Sequence, residues 1–170
     1  MNGTPHKLRP YLPSDAHGLR DLFAQSIEEL TSDSYDEDQR LAWIETAENE
    51  AAFAARLASG LTLIVGGPGN YQGFATLQDG SKLDLLYVHP YSARQGVGTT
   101  LVDALERIAA SRGATSITVD ASDTALAFFD QRGYTPSRRN TIVLGDTWLS
   151  NTTMSKQLAP LAPAGPQVMS

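Results

Sequence analysis

The chain of 170 residues is long enough for one domain with a sizeable core and short for two. It contains no cysteine, which excludes disulfides, a thiol nucleophile and thiolate metal sites, and its three histidines lack metal-ligand spacing, so we expect no metal site. The net charge of −6 is opposite in sign to that of most nucleic-acid binders, and no apolar run approaches the roughly 20 residues that cross a bilayer.

The opening residues MNGTPHKLRP lack the apolar middle of a signal peptide, so we expect a cytoplasmic protein that binds neither nucleic acid nor membranes. Acidic residues cluster over 33–38 and 45–50. These clusters either form a solvated surface or attract a cationic substrate such as an amine.

The first 60 residues predict one extended segment followed by helices. "HKLRPYL" is the extended segment, and Ser14 or Asp15 can cap the helix that follows it. The apolar spacing of that helix predicts a buried face, and a polar break, "TSDSYDED", ends it. The sequence from Asp38 to Ser59 then predicts two packed helices.

Strand patterns begin after Gly60. "LTLIV", "YQGFATLQ" and "KLDLLYV" are short, apolar or alternating, and the turn sequences "GGPGN" and Asp79-Gly80 separate them. These three segments predict an antiparallel meander.

The remaining sequence predicts a parallel crossover and a closing pair of strands. A helix over 99–111 leads to the strand "SITVD", and a short helix over 124–132 ends at Gly133. "NTIVL" and "WLSNTTMSKQL" form the closing pair. We therefore expect a mixed α/β (α+β) sheet with helices on both faces in one domain over residues 1–158, and a disordered or loosely docked tail over 159–170.

A glycine turn lies between the third strand and the long helix, in "YVHPYSARQGVGTTLVDALE". Helix N-termini carry unpaired N–H donors, and glycines allow a ligand to approach the backbone, so this turn can bind an anion such as a pyrophosphate. The alternative is a turn that merely needs small residues. A nucleotide P-loop is excluded because no Gly-Lys-Ser/Thr follows, and a dinucleotide fingerprint needs a third glycine.

The order of these segments resembles the cofactor-binding half of the GNAT superfamily of acyl-CoA N-acyltransferases. The strand ending in Val88-x-Pro90, the glycine turn, the helix, the next strand and "ALAFFDQRGY" follow one another as they do in that superfamily. The resemblance covers roughly residues 60 to 156. The ending "GDTWLSNTTMSKQL" resembles the closing strands of a poorly characterised bacterial branch of the superfamily. It implies a GNAT-like fold and transfer of an acetyl group from acetyl-CoA to a primary amine, by direct attack in a ternary complex.

The resemblance also implies where acetyl-CoA lies. Its pantetheine arm is expected beside the third strand, its pyrophosphate at the glycine turn, and its carbonyl at the Val88 N–H. The implied cofactor-binding residues are Leu86, Tyr87, Val88, Arg94, Gln95, Gly96, Val97, Gly98, Thr99, Ser122, Ala125, Phe128 and Phe129. Phe128 and Phe129 are equally well explained as ordinary core residues.

Three positions depart from the superfamily's pattern, and one of them is Ser122, where the superfamily often carries Asn. Ala93 stands where its turn usually carries Gln or Arg, and we expect Arg94 and Gln95 to compensate. Phe129 stands where a tyrosine often protonates the leaving thiolate, so the general acid is left open. The candidates in its place are Tyr134, Tyr87, Tyr91 and water, and core packing is the other interpretation of Tyr134.

Asp84 is the candidate general base, because a carboxylate between Leu83 and Leu85 breaks the apolar pattern of a central strand. Strand alternation predicts that Asp84 lies on the face of Leu86 and Val88, with Tyr87 on the opposite face. The alternative is that Asp84 simply pairs with a basic side chain.

We expect the first two helices to form a wall of the acceptor site. Tyr35, Gln39 and Trp43 are spaced four residues apart, which predicts one helix face beside the acceptor, although core packing explains Trp43 equally well. We expect a small-molecule or peptide amine as acceptor, and a homodimer is left open. The alternatives to an enzyme are a non-catalytic acyl-CoA-binding module and an unrelated phosphate binder.

Overall fold

The computed structural model describes residues 6–160. The strands are β1 (Leu8–Pro10), β2 (Leu61–Gly67), β3 (Asn70–Gln78), β4 (Lys82–Val88), β5 (Ser116–Ser122), β6 (Thr135–Leu144) and β7 (Thr147–Gln157). The helices are α1 (Ala16–Leu30), α2 (Glu37–Glu45), α3 (Glu50–Ser59), α4 (Val97–Ser111) and α5 (Leu126–Gln131). Short 3-10 turns precede α1 and follow β4.

All seven strands form one sheet in the order β1-β2-β3-β4-β5-β7-β6. Neighbouring strands are antiparallel except for β4 and β5, which α4 connects as a parallel crossover. The predicted mixed α/β sheet, with its antiparallel meander and crossover, is therefore confirmed.

Helices cover both faces of the sheet and form two separate apolar cores. On one face, α1 and α3 pack against β2, β3 and β4 around Phe23, Phe53 and Phe74. On the other, α4 and α5 pack around Leu101, Leu105 and Phe129. Burial of each such side chain stabilises the fold by about 1.5–3 kcal/mol, so the sheet is held rigidly from both sides.

Several predicted boundaries were wrong by a few residues. The helix predicted from Thr99 begins at Val97, and the short helix predicted over 124–132 covers six residues. The first closing strand begins at Thr135, five residues before "NTIVL", because the polar segment between them pairs with β7. The polar side chains there face solvent, so their composition resembles that of a loop.

Asp15 does not cap α1 with its side chain, contrary to the prediction, and Ser14 lies inside the preceding 3-10 turn. The Asp15 carboxylate instead accepts hydrogen bonds from the Leu12 N–H, from the guanidinium of Arg9 and from the Tyr71 hydroxyl. The buried Asp15 carboxylate therefore connects Arg9 of β1 and Tyr71 of β3 to the start of α1.

Two irregularities in β4 shape the centre of the sheet. Thr76 of β3 pairs with Leu85 and the next residue, Leu77, pairs with Leu83, so Asp84 is the extra residue of a β-bulge. On its other side β4 pairs with β5 only at its first two residues, Lys82 and Leu83. Beyond that point the two parallel strands diverge and leave an opening in the sheet.

No helix within residues 6–160 is long and apolar enough to cross a membrane. Of the predicted tail, residues 161–170 lie outside the described part of the chain. The single domain over residues 1–158 and the homodimer stay predictions.

Candidate active site

The edge of β4 that faces β5 exposes backbone hydrogen-bonding groups. The His89 N–H donates to the Gln72 carbonyl of β3 at 2.8 Å, and in an antiparallel ladder such bonding alternates along the strand. The N–H and carbonyl groups of Leu86 and Val88 therefore point to the opposite edge. Since β5 has diverged there, these groups face the opening in the sheet.

A cavity of about 230 Å³, named here the α5 cavity, fills this opening on the side of α5. Residues of β4, β5, α5 and the start of α4 line most of it, together with the end of α1 and Trp43 of α2, and its surface is mainly apolar. The predicted cofactor residues among them are Leu86, Tyr87, Val88, Gly98, Ser122, Ala125, Phe128 and Phe129. The structure therefore brings together eight residues that are distant in sequence.

The glycine turn lies at one end of the α5 cavity. Gly96 has φ 84° and directly precedes α4, which begins at Val97. The first N–H groups of a helix have no partner within the helix, so Val97, Gly98 and Thr99 present donors at the positive end of the α4 dipole. A Cβ on Gly98 would lie 3.6 Å from the Phe128 ring. Any larger side chain would therefore project into the space beside these donors.

A second cavity of about 290 Å³, named here the β7 cavity, lies on the other side of the opening. Aromatic rings from α1, α2, the segment between them and β4 line one side of it, and residues of β5, β6 and β7 line the other. The aromatic residues are Phe23, Tyr35, Trp43 and Tyr87. The aliphatic residues are Leu83, Ile142, Leu144 and Leu149.

The two cavities meet between β4 and β5. Six residues line both cavities: Trp43, Leu83, Asp84, Tyr87, Asp120 and Ser122. A molecule bound along β4 in the α5 cavity would therefore present its end to a second molecule in the β7 cavity. This arrangement suits a transfer reaction between two substrates.

Comparison with known proteins agrees with this geometry. Residues 31–158, three quarters of the chain, match the family of acetyltransferase (GNAT) domains. The chain belongs to the GNAT acetyltransferase family. It is therefore an acyltransferase, as the sequence resemblance predicted.

Individual GNAT relatives cover most of the chain. A GCN5-related N-acetyltransferase from Rhodopseudomonas palustris is 51% identical, with a TM-score of 0.89, over 93% of this chain and 99% of its own. The uncharacterised N-acetyltransferase YafP of Escherichia coli K12 is 26% identical over 85% of this chain and 91% of its own. The PaiA N-acetyltransferase of Thermoplasma acidophilum, solved with coenzyme A, shares the fold at 17% identity, with a TM-score of 0.73 over 91% of this chain and 99% of its own.

The GNAT glycine turn is built here without help from Ala93. Arg94 has φ 63°, an uncommon left-handed conformation for a residue with a side chain, and its side chain is exposed beside the turn. The Gln95 side chain donates to the Tyr91 carbonyl at 2.9 Å, and the Gln95 carbonyl lies 2.8 Å from Nε2 of His6. Gln95 thus stabilises the turn itself, and Arg94 is left to supply positive charge.

Asp84 forms an ion pair with Arg56 of α3, as the structural interpretation expected. Nε and Nη2 of Arg56 donate to Oδ2 and Oδ1 of Asp84 at 2.8 and 3.1 Å. The predicted faces of β4 were wrong, because Asp84 points toward α3, on the side of Leu85 and Tyr87, and away from the face of Leu86. The bulge at Asp84 adds one residue and interrupts the alternation that the prediction assumed.

Tyr87 and Tyr35 lie at the aromatic side of the β7 cavity. Tyr87 contacts the rings of Phe23, Phe74 and Trp43, and burial raises the pKa of its hydroxyl to about 12. The Tyr35 hydroxyl donates to the Ser150 carbonyl at 2.7 Å and accepts the Asp123 N–H at 2.9 Å. Tyr35 therefore joins β7 to the segment after β5.

Gln39 does not line either cavity, contrary to its predicted place at the acceptor. The helix α2 begins only at Glu37, so Tyr35 precedes it and does not share a helix face with Gln39 and Trp43. The Gln39 side chain accepts from the Asp36 N–H in a capping box and donates to the Trp148 carbonyl of β7. Its role is to begin α2 and attach it to the sheet.

Tyr134 lies in the core behind α4 and lines neither cavity. Its hydroxyl donates to Oε2 of Glu106 at 2.8 Å, and its ring packs on Phe129 with a centroid distance of 5.0 Å. Burial, together with this hydrogen bond, raises the pKa of the Tyr134 hydroxyl. The geometry favours the packing interpretation and does not support Tyr134 as the general acid.

Several charged or polar residues of the site were not predicted from the sequence, among them Arg56, Lys82, Asp120 and Asn151. Asp120 had a usable signal, because it occurs near the carboxyl end of a parallel strand, where ligand-binding residues concentrate. Arg56 and Asn151 had none, since each lies in an unremarkable segment and reaches the site through the tertiary fold. Within residues 6–160 no cluster of His, Asp and Glu could hold a metal ion.

Proposed function

We propose that the protein transfers the acetyl group of acetyl-CoA to a primary amine, by direct attack in a ternary complex. The observation that carries this proposal is the meeting of two cavities between β4 and β5. One cavity follows free backbone groups and ends at a helix N-terminus. The other is lined by aromatic rings, and the two share carboxylates where they meet.

The α5 cavity fits an acyl-CoA. The free N–H and carbonyl groups of Leu86 and Val88 can pair with pantetheine amides as an added strand would. The N–H donors of Val97, Gly98 and Thr99, with Arg94 beside them, suit a pyrophosphate. The complex of the related PaiA protein with coenzyme A supports this assignment.

Acetyl-CoA, when bound, supplies an acetyl group that its thioester activates toward an amine. The Val88 N–H is placed to polarise the thioester carbonyl. Apolar side chains of α5, mainly Phe128 and Phe129, exclude water from the arm. Because Phe129 has no hydroxyl and Tyr134 lies in the core, we propose that the leaving thiolate takes its proton from the acceptor or from water.

The β7 cavity is the proposed site of the acceptor amine, whether a small molecule or a peptide N-terminus. Trp43, Tyr35 and Tyr87 provide rings on which an apolar body or a cation can lie. The two carboxylates that line it, Asp84 and Asp120, can attract an ammonium group and accept its proton.

Spectrophotometric detection of free thiol tests the proposal. The protein is mixed with acetyl-CoA and a panel of primary amines, and thiol release is compared with and without each amine. Release that depends on both the amine and the protein is the expected result. Tight binding of acetyl-CoA in calorimetry without release by any amine would instead indicate a non-catalytic acyl-CoA-binding module. Absence of binding would reject both.

A further inference from the structure

The two carboxylates at the meeting point of the cavities differ in how much of their hydrogen-bonding capacity is used. Both oxygens of Asp84 accept from the guanidinium of Arg56. Oδ1 of Asp120 accepts from the Thr153 hydroxyl at 2.7 Å, whereas Oδ2 lies 3.6 Å from the Lys82 ammonium, beyond hydrogen-bonding distance. Within residues 6–160, Oδ2 of Asp120 therefore has an ionic neighbour but no hydrogen-bond donor.

The strand places the Asp120 carboxylate where the two cavities meet. Alternate residues of β5, including Val119 and Ala121, are buried in the core beneath α4. Asp120 is on the opposite face, its side chain is 40% exposed, and it lines both cavities. Thr153, directly across on β7, fixes the orientation of the carboxylate.

We propose that Asp120 receives the ammonium group of the acceptor and takes its proton, and that the acceptor is a monoamine with an apolar body. This inference rests on the proposed acetyl transfer. Asp84 then has a structural role in the site, because Arg56 already balances its charge. The apolar body lies against the aromatic and aliphatic residues of the β7 cavity.

The charged side chains around the β7 cavity favour an acceptor that carries one ammonium group. Two anions, Asp84 and Asp120, and two cations, Arg56 and Lys82, line the β7 cavity. After Arg56 has neutralised Asp84, one carboxylate remains, and Lys82 already lies near it. A polyamine would place its second ammonium close to Arg56 or Lys82 without a free anion, which is unfavourable.

The transfer balances with Asp120 as the base. The ammonium gives one proton to Oδ2 of Asp120, and the free amine attacks the thioester carbon. A C–N bond forms as the C–S bond breaks, and the electron pair of that bond leaves with sulfur. The nitrogen loses its second proton to the thiolate, and Asp120 releases the first to solvent.

A basic and a weakly basic acceptor separate this role from a structural one. The basic acceptor is 2-phenylethylamine, and its β,β-difluoro analogue has the same shape but a much less basic amine. For Asp120→Asn we expect kcat/KM to fall about 100-fold or more with the basic amine and far less with the analogue. An equal loss with both amines, or no loss, would overturn the proposal. Asp21→Asn, which changes an exposed carboxylate of α1, is the matched control.

Charged groups near Asp120 also affect how these rates depend on pH. Lys82 and Asp84 face it from β4, and Arg56 reaches Asp84 from α3. From β7 and β6 its neighbours Thr153, Asn151 and Asn140 are uncharged, with Arg138 behind Asn140. Because the difluoro analogue changes none of these groups, a difference between the two amines reports on the proton of the acceptor.

A second variant tests binding without relying on turnover or on the folding of Asp120→Asn. The Lys82 side chain is 47% exposed, so Lys82→Met should fold. Removal of its charge should tighten binding of 2-phenylethylamine to the CoA-saturated protein by about fivefold in calorimetry. Unchanged or weaker binding would overturn the proposal, as would tighter binding of spermidine than of the monoamine. Failure of the wild-type protein to release thiol would instead reject the acetyl transfer, and the binding test would still decide whether the Asp120 side of the cavity receives the ammonium group.

Discussion

Arg56 donates two hydrogen bonds to Asp84, from Nε to Oδ2 at 2.8 Å and from Nη2 to Oδ1 at 3.1 Å. This pair joins α3 to the bulged residue of β4, at the point where the sheet opens. The Asp84 side chain is only 16% exposed, whereas that of Arg56 is 42% exposed. The pair therefore fixes the bulge in place while one side of the guanidinium remains in contact with the β7 cavity.

Removal of both partners should destabilise the protein by less than the sum of the two single losses. Arg56→Gln leaves a mostly buried carboxylate without its cation, and Asp84→Asn leaves the guanidinium without its anion. Because Arg56 is partly exposed, we expect a coupling energy of about 1 kcal/mol. Urea unfolding of the two single variants and the double variant measures it, and additive losses would contradict a direct interaction.

The central sheet could be predicted because its signals are local. The alternation in β3 and the Asp79-Gly80 turn are readable in a few residues, as is the apolar periodicity of α4. The orientation of Asp84 could not be predicted in this way. A bulge depends on how two strands pair, and the sequence of β4 alone is equally compatible with regular alternation.

Gly98→Val should weaken the binding of acetyl-CoA while leaving the fold intact. A Cβ at Gly98 would meet Phe128 at 3.6 Å and Val88 at 3.8 Å, which are ordinary contacts, so the added methyl groups would occupy the α5 cavity. We expect acetyl-CoA affinity to fall about tenfold or more. Calorimetry measures this loss, and unchanged affinity in a folded variant would reject the site.

The control for Gly98→Val is Arg107→Val, which places the same side chain on an exposed part of α4. Both variants put a β-branched residue in the helix, but only the first faces the cavity. Gly96 is less suitable for this test, because its φ of 84° would make any side chain strained for reasons unrelated to the ligand.

Tyr35→Phe should loosen the connection between the two sides of the β7 cavity. Without the hydroxyl, the Ser150 carbonyl and the Asp123 N–H lose a partner, which we expect to cost about 1–3 kcal/mol of unfolding free energy. The KM for the amine should rise with it. Tyr91→Phe, whose ring is 86% exposed, is the control. A variant with wild-type stability would contradict the bridging role of Tyr35.

The lining of the β7 cavity was the part of the candidate site that the sequence predicted least well. Tyr35 and Trp43 do line the β7 cavity, but Gln39 caps α2 instead, and Arg56 and Asp120 complete the charges. The four residues that line the cavity come from the segment before α2, from α2, from α3 and from β5. No spacing along the chain encodes their meeting, because it depends on how these parts pack.

Asp15 should make stability depend on pH in the acid range. Hydrogen bonds from Arg9, foremost, and from Tyr71 and Leu12 lower the pKa of Asp15 from 3.8 to about 2. Because the pKa of Asp15 is lower in the folded protein, its ionised carboxylate stabilises the fold by about 2 kcal/mol at pH values well above 3.8. About half of this stabilisation is lost when the pH falls to 3. The difference in unfolding free energy between wild type and Asp15→Asn should therefore shrink by about 1 kcal/mol between pH 7 and pH 3. A constant difference in urea unfolding would contradict the assignment, and Asp146→Asn is the exposed control.

Tyr134→Phe separates a structural tyrosine from a catalytic one. The variant removes the hydrogen bond to Glu106 but keeps the ring against Phe129, and Lys156 still donates to Glu106 at 2.9 Å. We expect a loss of about 1 kcal/mol in unfolding free energy. Turnover and the pH–rate profile should remain those of the wild type, because the hydroxyl lies outside both cavities. A lower kcat together with loss of the alkaline limb of the profile would show instead that the hydroxyl donates a proton in the reaction.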